Sequence, residues 1–297
     1  MKPRLAFAAL MLAPAVASAQ DGWRDPAHHT AHFVQVERGV KLHYLDFGGS
    51  GPPLVFLAGL GNTAHAWDDF APAFTDRFHV IAITRRGFGE SDHPGTGYDT
   101  PRLVADILAV LDSLHLARVS IVGHSIAGEE MTRLAANFPN RVDKLVFLDA
   151  AYDRVRATDL IDHDSVPAPI GETIPFPSAA DTSTPAAYVK YVHRSRKVNI
   201  PEADIRTRYR YDGWREEINP AYMAITVETP DYAHVRASSL GIYAVNDKSD
   251  ELFSMLRAEF KSQVANSQVI EIHGAHHWIF VSNRDQVLRA IRTFLGS

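Results

Sequence analysis

Val119-Ser120-Ile121-Val122-Gly123-His124-Ser125-Ile126-Ala127-Gly128 is the stretch whose reading decides the fold. Residues suited to a buried strand run into Gly123, a polar pair follows, and small residues then open a helix. The pattern predicts that Ser125 sits on a sharp strand-to-helix turn. Small residues two places before it (Gly123) and two after it (Ala127) let a strained backbone come close to its surroundings. Such an elbow lifts the hydroxyl clear of the sheet and aims the next backbone N–H, that of Ile126, at the space above it. The form here is G-x-S-x-A with a glycine one place later, rather than G-x-S-x-G. A capping serine at an ordinary strand–helix junction would look the same, so the rest of the chain has to decide.

Outward from this stretch, continuous apolar runs recur at Leu54–Leu57, His79–Ile83, Lys144–Leu148, Leu240–Val245 and Gln268–Ile272. Runs of that kind suit strands buried on both faces. Between them the spacing predicts helices over Ala66–Phe74, Ile126–Asn137, Glu251–Phe260 and Asp285–Leu295. A further helix begins with Thr100 as its cap and Pro101 at its first position. Ahead of all these, His32–Val36 and Lys41–Phe47 alternate around Arg38-Gly39 and predict a hairpin. Strand and helix in alternation mean an α/β fold, a mostly parallel sheet with helices on both faces. From about Tyr152 to Ala237 the alternation stops in a segment rich in proline and tyrosine, which predicts a cap inserted between strands 6 and 7. Ligands of open parallel sheets bind beyond the carboxyl ends of the strands, and Gly59-Leu60, Ser125 and Asp149 all fall at that edge.

Composition narrows the function. The 297 residues are 46% hydrophobic and 22% charged, enough for one domain with a sizeable core. A net charge of −5 with no basic stripe points away from nucleic acid. The absence of cysteine excludes a thiol nucleophile, a disulfide framework and a thiolate metal site. Lys2 and Arg4 precede the apolar run Leu5–Val16, and Ala17-Ser18-Ala19 has the form of a cleavage site. The expectation is a signal peptide over residues 1–19 and an exported domain over 20–297, in periplasm or medium. The apolar run is shorter than the roughly 20 residues of a membrane span. His28, His29 and His32 are read as a solvated arm rather than a metal site.

A hydroxyl needs a base to take its proton, and the base needs a third group to orient it. Ser125, Asp247 and His277 supply these types in that order, each just past the end of a strand. With the elbow, the loop Arg86-Gly87-Phe88-Gly89-Glu90-Ser91 and the terminal Gly274-Ala275-His276-His277, the chain resembles the α/β-hydrolase fold family, in particular its small capped serine esterases. The resemblance covers nearly all of the chain beyond the leader. It implies Ser125 as nucleophile, His277 as general base and Asp247 as orienting acid, with the N–H groups of Leu60 and Ile126 as oxyanion hole. Asp149 is a second possible acid. Ala58 stands where the family has histidine. Thr84 replaces a common aspartate, which leaves Arg86 without its usual partner, and His276 replaces a common glycine. Glu129 and Glu130 are given only a helix-dipole role.

The reaction so implied is hydrolysis of a small-molecule carboxylic ester through an acyl-enzyme on Ser125, with no cofactor or metal. Amide cleavage, lactone opening and carbon–carbon bond hydrolysis remain open on the same triad. So does a non-catalytic ligand-binding protein, although an intact Ser/Asp/His set argues against it. Haloalkane dehalogenase and epoxide hydrolase activity are disfavoured, because relatives of those kinds use aspartate as nucleophile. The tyrosine-rich cap predicts a stiff, partly apolar roof over Ser125 and a preference for short acyl groups.

Overall fold

A computed structural model describes residues 22–163, 174–212, 219–245 and 250–296. The expected leader, Asp247 and parts of the cap lie outside the described residues.

The hairpin forms from β1 (Thr30–Glu37) and β2 (Val40–Gly48). The apolar runs become β3 (Pro53–Leu57), β4 (His79–Ile83), β5 (Val119–His124), β6 (Val142–Leu148), β7 (Ser238–Val245) and β8 (Ser267–His273). The eight strands make one sheet in the order β1-β2-β4-β3-β5-β6-β7-β8. Only the pairings of β2 with β1 and β4 are antiparallel; every other pair is parallel.

The two-residue period of each central strand sends alternate side chains into two separate cores. Val55 and Leu57 of β3 and Leu145 and Phe147 of β6 enter one core with Met131 and Phe260. Leu54, Phe56, Val146 and Leu148 enter the other with Trp67, Phe280 and Ile291. Both faces are therefore covered, as a parallel sheet requires.

Helix α1 (Thr100–Ser113) is capped by Asp99, whose side chain accepts the Arg102 N–H, so the cap lies one residue before the expected Thr100. Thr100 instead donates its hydroxyl to Thr226 O. Helix α2 (Ala127–Asn137) follows the elbow. The helix expected over Ala66–Phe74 is two 3-10 turns, Ala64–Trp67 and Ala71–Phe74. Pro72 in the second turn has no N–H to give an α-helix. Trp67, Phe70 and Phe74 are nonetheless all buried, which accounts for the helix-like spacing.

Between β6 and β7 lie the helices α3 (Arg154–Asp162), α4 (Pro185–Arg196), α5 (Glu202–Tyr211) and α6 (Pro220–Ala224). The insertion thus falls where the sequence places it. Helices α7 (Asp250–Gln263), α8 (Ile279–Ser282) and α9 (Arg284–Leu295) complete the chain. In α9, Val287, Ile291 and Leu295 recur every four residues on the buried face, and Gly296 ends the helix in the left-handed region at φ 84°. Among the described residues no helix is long and apolar enough to cross a membrane.

Candidate active site

Strand β5 is buried along its whole length and delivers Ser125 at its carboxyl end. Ser125 has φ 55°, a left-handed conformation rare for a residue with a β-carbon. Its N–H bonds to Leu148 O at 3.1 Å on the neighbouring strand, and its carbonyl accepts the Gly128 N–H at 3.1 Å, which starts α2. The small residues around it have direct structural reasons. A β-carbon on Gly123 would lie 2.2 Å from Met131 Sδ and 3.0 Å from Ala127 Cβ. A β-carbon on Gly128 would lie 2.4 Å from Ala151 N, so the glycine one place late in the pattern lets α2 pack against the chain leaving β6.

Asp149 follows β6, the strand beside β5, and also has positive φ, 46°. Its N–H is tied to Ile242 O at 2.8 Å. Oδ1 accepts the Tyr152 hydroxyl at 2.7 Å and the Ala244 N–H at 3.1 Å. Oδ2 meets His277 Nδ1 at 2.6 Å. The carboxylate that the described residues place on the histidine is Asp149, the second possible acid; Asp247, the acid expected first, lies outside the described residues. The physical reason is local. The turn at Asp149 aims its side chain along the strand ends, and two further donors hold the carboxylate there. Burial, and then the Asp149 charge, push the Tyr152 phenol well above its ordinary pKa, so Tyr152 stays a neutral donor.

His277 lies between β8 and α8, with its side chain about half exposed. His276 lines the same cleft, but its Nδ1 accepts the Trp278 N–H at 3.1 Å. His124, beside the serine, is buried and makes a hydrogen bond through Nε2 to His277 O at 3.0 Å. Its ring lies 4.5 Å from that of His277, centroid to centroid. Burial, and then His277, hold His124 well below the ordinary histidine pKa, so it is a neutral packing group behind the site.

The loop after β3 carries Leu60. Asn62 N–H bonds to Gly59 O at 3.1 Å, and Gly61 has φ 76°. A β-carbon on Gly59 would stand 2.7 Å from His124 Nδ1 and 3.4 Å from Ser125 Cβ, so this loop passes directly over the elbow. Among the described residues neither Leu60 nor Ile126 gives its N–H to a backbone carbonyl. The family's histidine is replaced by Ala58, and the loop is held by other means. Arg85 donates to Ala58 O at 3.1 Å while gripping Glu130 through two bonds at 2.6 and 2.7 Å. Glu130 is therefore an ion-pair partner and not simply a dipole residue. Arg86 has partners as well: Asp106 at 2.5 and 2.7 Å and Glu37 at 2.9 Å. Sequence reading missed these partners because they lie 20 to 49 residues away.

Ser125, Asp149, His276 and His277 open into one cleft of about 710 Å³. Its described lining also includes Tyr152, Phe253 and the cationic side chains Arg154, Arg196, Lys197 and Arg257, of which Arg154 lies 3.5 Å from Glu129 and Arg257 2.8 Å from Glu271. Of the cap's aromatic residues Tyr152 belongs to that lining, whereas Tyr188, Tyr191 and Tyr209 do not; Trp214 lies outside the described residues. Tyr188 packs on Tyr191 and Tyr209 at centroid distances of 5.8 and 5.5 Å, within the cap itself. These three tyrosines hold the cap together, while Tyr222 packs on Phe88 and Tyr232 on Phe260 outside it, and cationic side chains supplied partly by the cap face the cleft.

The family model for the alpha/beta hydrolase fold matches residues 52–283. A soluble epoxide hydrolase from Corynebacterium sp. is 32% identical over 139 residues, 47% of this chain and 46% of that protein. The chain thus spans about half the length of that relative. The 2-(acetamidomethylene)succinate hydrolase of Mesorhizobium japonicum is 26% identical over 262 residues, covering 84% of this chain and 90% of the relative. The crystal structure of E-2-(acetamidomethylene)succinate hydrolase superposes with a TM-score of 0.66 at 21% identity, over 91% of this chain and 100% of the other. The enol-lactonase from Burkholderia xenovorans gives 0.65 at 20%, over 89% and 100%. At such identities the solved structures share the fold alone. With the family model spanning most of its length and the eight-stranded sheet in place, the chain belongs to the α/β-hydrolase fold family.

Proposed function

We propose that the protein is a serine hydrolase of small carboxylic esters or lactones that carry a negative charge, working through an acyl-enzyme on Ser125. The observation that carries the reading is the union of a left-handed Ser125 at a strand–helix elbow with a His277–Asp149 pair at 2.6 Å on the same cleft. With Asp149 holding the Nδ1–H, Nε2 of His277 is the basic nitrogen and takes the proton from Ser125 as the hydroxyl attacks. The N–H groups of Leu60 and Ile126 receive the oxyanion, aided by the positive end of α2. His277 then returns the proton to the leaving alkoxide, and a water activated by the same histidine releases the acid. Asp149, saturated by Tyr152 and Ala244, keeps the imidazole in one orientation through both halves of the cycle.

Ester or lactone is preferred over epoxide because a serine at the elbow gives an acyl-enzyme that water can resolve. Opening an epoxide with serine would leave a stable ether. The cationic lining supports an acid-bearing substrate, and the Mesorhizobium relative is named for hydrolysing a succinate. Export to periplasm or medium remains part of the proposal, on the leader-like residues 1–19. The test is kcat/KM for paired aryl esters that differ only in a terminal carboxylate on the acyl chain. The acid should be favoured by about tenfold or more, equivalent to about 1.4 kcal/mol, and the gap should shrink with added salt. A preference for the neutral ester would remove the charge assignment. Failure of a fluorophosphonate to label Ser125 would remove the hydrolase reading.

A further inference from the structure

Asp25 and His29 lie on the N-terminal arm ahead of β1; His28 and His32 are exposed as a solvated arm implies, but the His29 side chain is only 10% exposed. It rests edge-on against Phe47 of β2, at a centroid distance of 5.6 Å. Opposite it stand His65, in the first 3-10 turn, and Asp68, which ends that turn. The ligand atoms of these four residues all lie within 4.8 Å of one another. His29 Nε2 is 3.2 Å from Asp25 Oδ2 and 3.7 Å from Asp68 Oδ1; His65 Nδ1 is 3.2 Å from Asp25 Oδ2 and 2.9 Å from Asp68 Oδ2. Around a four-coordinate zinc with bonds of about 2.0–2.1 Å, neighbouring ligand atoms stand roughly 3.3 Å apart. The two separations to Asp25 Oδ2 match that edge length, and those to Asp68, which run to its two different oxygens, bracket it.

A second observation points the same way. The Asp68 side chain is 4% exposed, yet its Oδ1 has no hydrogen-bond partner among the described residues and faces His29. A buried carboxylate oxygen without a donor is costly unless a cation satisfies it. Asp25 is oriented from behind, since its Oδ1 accepts the Ala27 N–H at 2.9 Å and Oδ2 is left for the cluster. The backbone N–H of His65 is held by Thr63 Oγ1 at 3.3 Å. Two imidazoles and two carboxylates form a borderline N/O donor set whose two negative charges match a divalent ion, the chemistry of zinc rather than of calcium or magnesium.

We infer that Asp25, His29, His65 and Asp68 bind one zinc ion, which staples the N-terminal arm to the turn that follows the Leu60 loop. None of the four lines the Ser125 cleft, so the ion is structural and takes no part in the hydrolytic steps. In a chain without cysteine, a His/Asp staple supplies a cross-link that no disulfide can.

The test uses the full chain, freed of metal with a chelator and titrated calorimetrically with zinc chloride. One tight equivalent is expected, with a rise in Tm. His29→Gln and Asp68→Asn should each weaken that equivalent by tenfold or more, and Ser125→Ala should leave it unchanged. Cobalt loaded in place of zinc should give the intense visible absorption of a four-coordinate ion. Zinc without a tight equivalent, or a tight equivalent that survives His29→Gln, overturns the assignment and leaves an ion-pair cluster. His29 sits on the arm outside the core, so that variant decides the matter if Asp68→Asn does not fold.

Discussion

Asp204 of the cap helix α5 is joined twice to Thr63 in the loop that carries the Leu60 N–H. Its Oδ1 accepts the Thr63 N–H at 2.7 Å and the Thr63 hydroxyl at 2.8 Å. Its Oδ2 takes the Asn62 side-chain amide at 2.7 Å. Asp204 is fully buried, so the cap and the candidate oxyanion loop are fastened to each other away from water.

Asp204→Ala leaves those donors buried without an acceptor, at about 1–3 kcal/mol each. The expected loss is about 3 kcal/mol or more of stability by urea unfolding. A fall in kcat should accompany it as the Leu60 N–H loses its fixed position. Asp204→Asn keeps one acceptor oxygen and should lie between the two. Unchanged kcat in a folded Asp204→Ala would show that the loop is held without the cap.

Ser125→Ala should leave the Tm close to that of the parent, because alanine fits wherever serine does. It should lower kcat by about 10⁶-fold, the loss seen when a triad nucleophile is removed. Labelling by a fluorophosphonate should vanish in the same variant. Turnover near the parent level would refute the serine nucleophile.

Asp149→Asn should cost about 10⁴-fold in kcat by leaving the imidazole in the wrong tautomer. Asp247→Asn should cost far less. The comparison is direct, since both changes remove one negative charge and preserve shape. A dead Asp247→Asn beside an active Asp149→Asn would return the orienting role to the later strand.

Glu129 on α2 is raised to about 7 by burial, with Arg154 opposing. In the native state it holds its proton where the unfolded chain has released it. Stability therefore declines as pH rises from about 4.5 to 7, a change on the order of 3 kcal/mol. Glu129→Gln keeps the shape without the ionisation. It should match the parent at pH 4 and exceed it at pH 8, measured by urea unfolding at both. Equal stability at pH 8 would show that Glu129 ionises there at no cost.

What the chain discloses before folding depends on whether a residue's partner is near in sequence. The elbow was legible because strand, glycine and helix lie within ten consecutive residues, and the sheet because each central strand is apolar along its length. The choice between Asp149 and Asp247 was not. Both follow strands, and what the structure adds for Asp149 is a backbone turn at φ 46° and a contact with a histidine 128 positions away. Trp67, Phe70 and Phe74 showed which side of their segment is buried but not that Pro72 breaks the helix, because 3-10 turns and an α-helix bury nearly the same positions. His29 looked like part of a polar arm because its neighbours His65 and Asp68 arrive only with the tertiary fold.

Gly128 has a mechanical consequence. Its contact with Ala151 N, and the bond from the Tyr232 hydroxyl to Ala151 O at 2.6 Å, clamp the chain two residues beyond Asp149. The inserted segment begins there, and one of its own residues, Tyr232, returns to pin its starting point. The acid that orients His277 is thereby moored to the neighbouring strand, through Ile242 O and the Ala244 N–H, before the insertion starts.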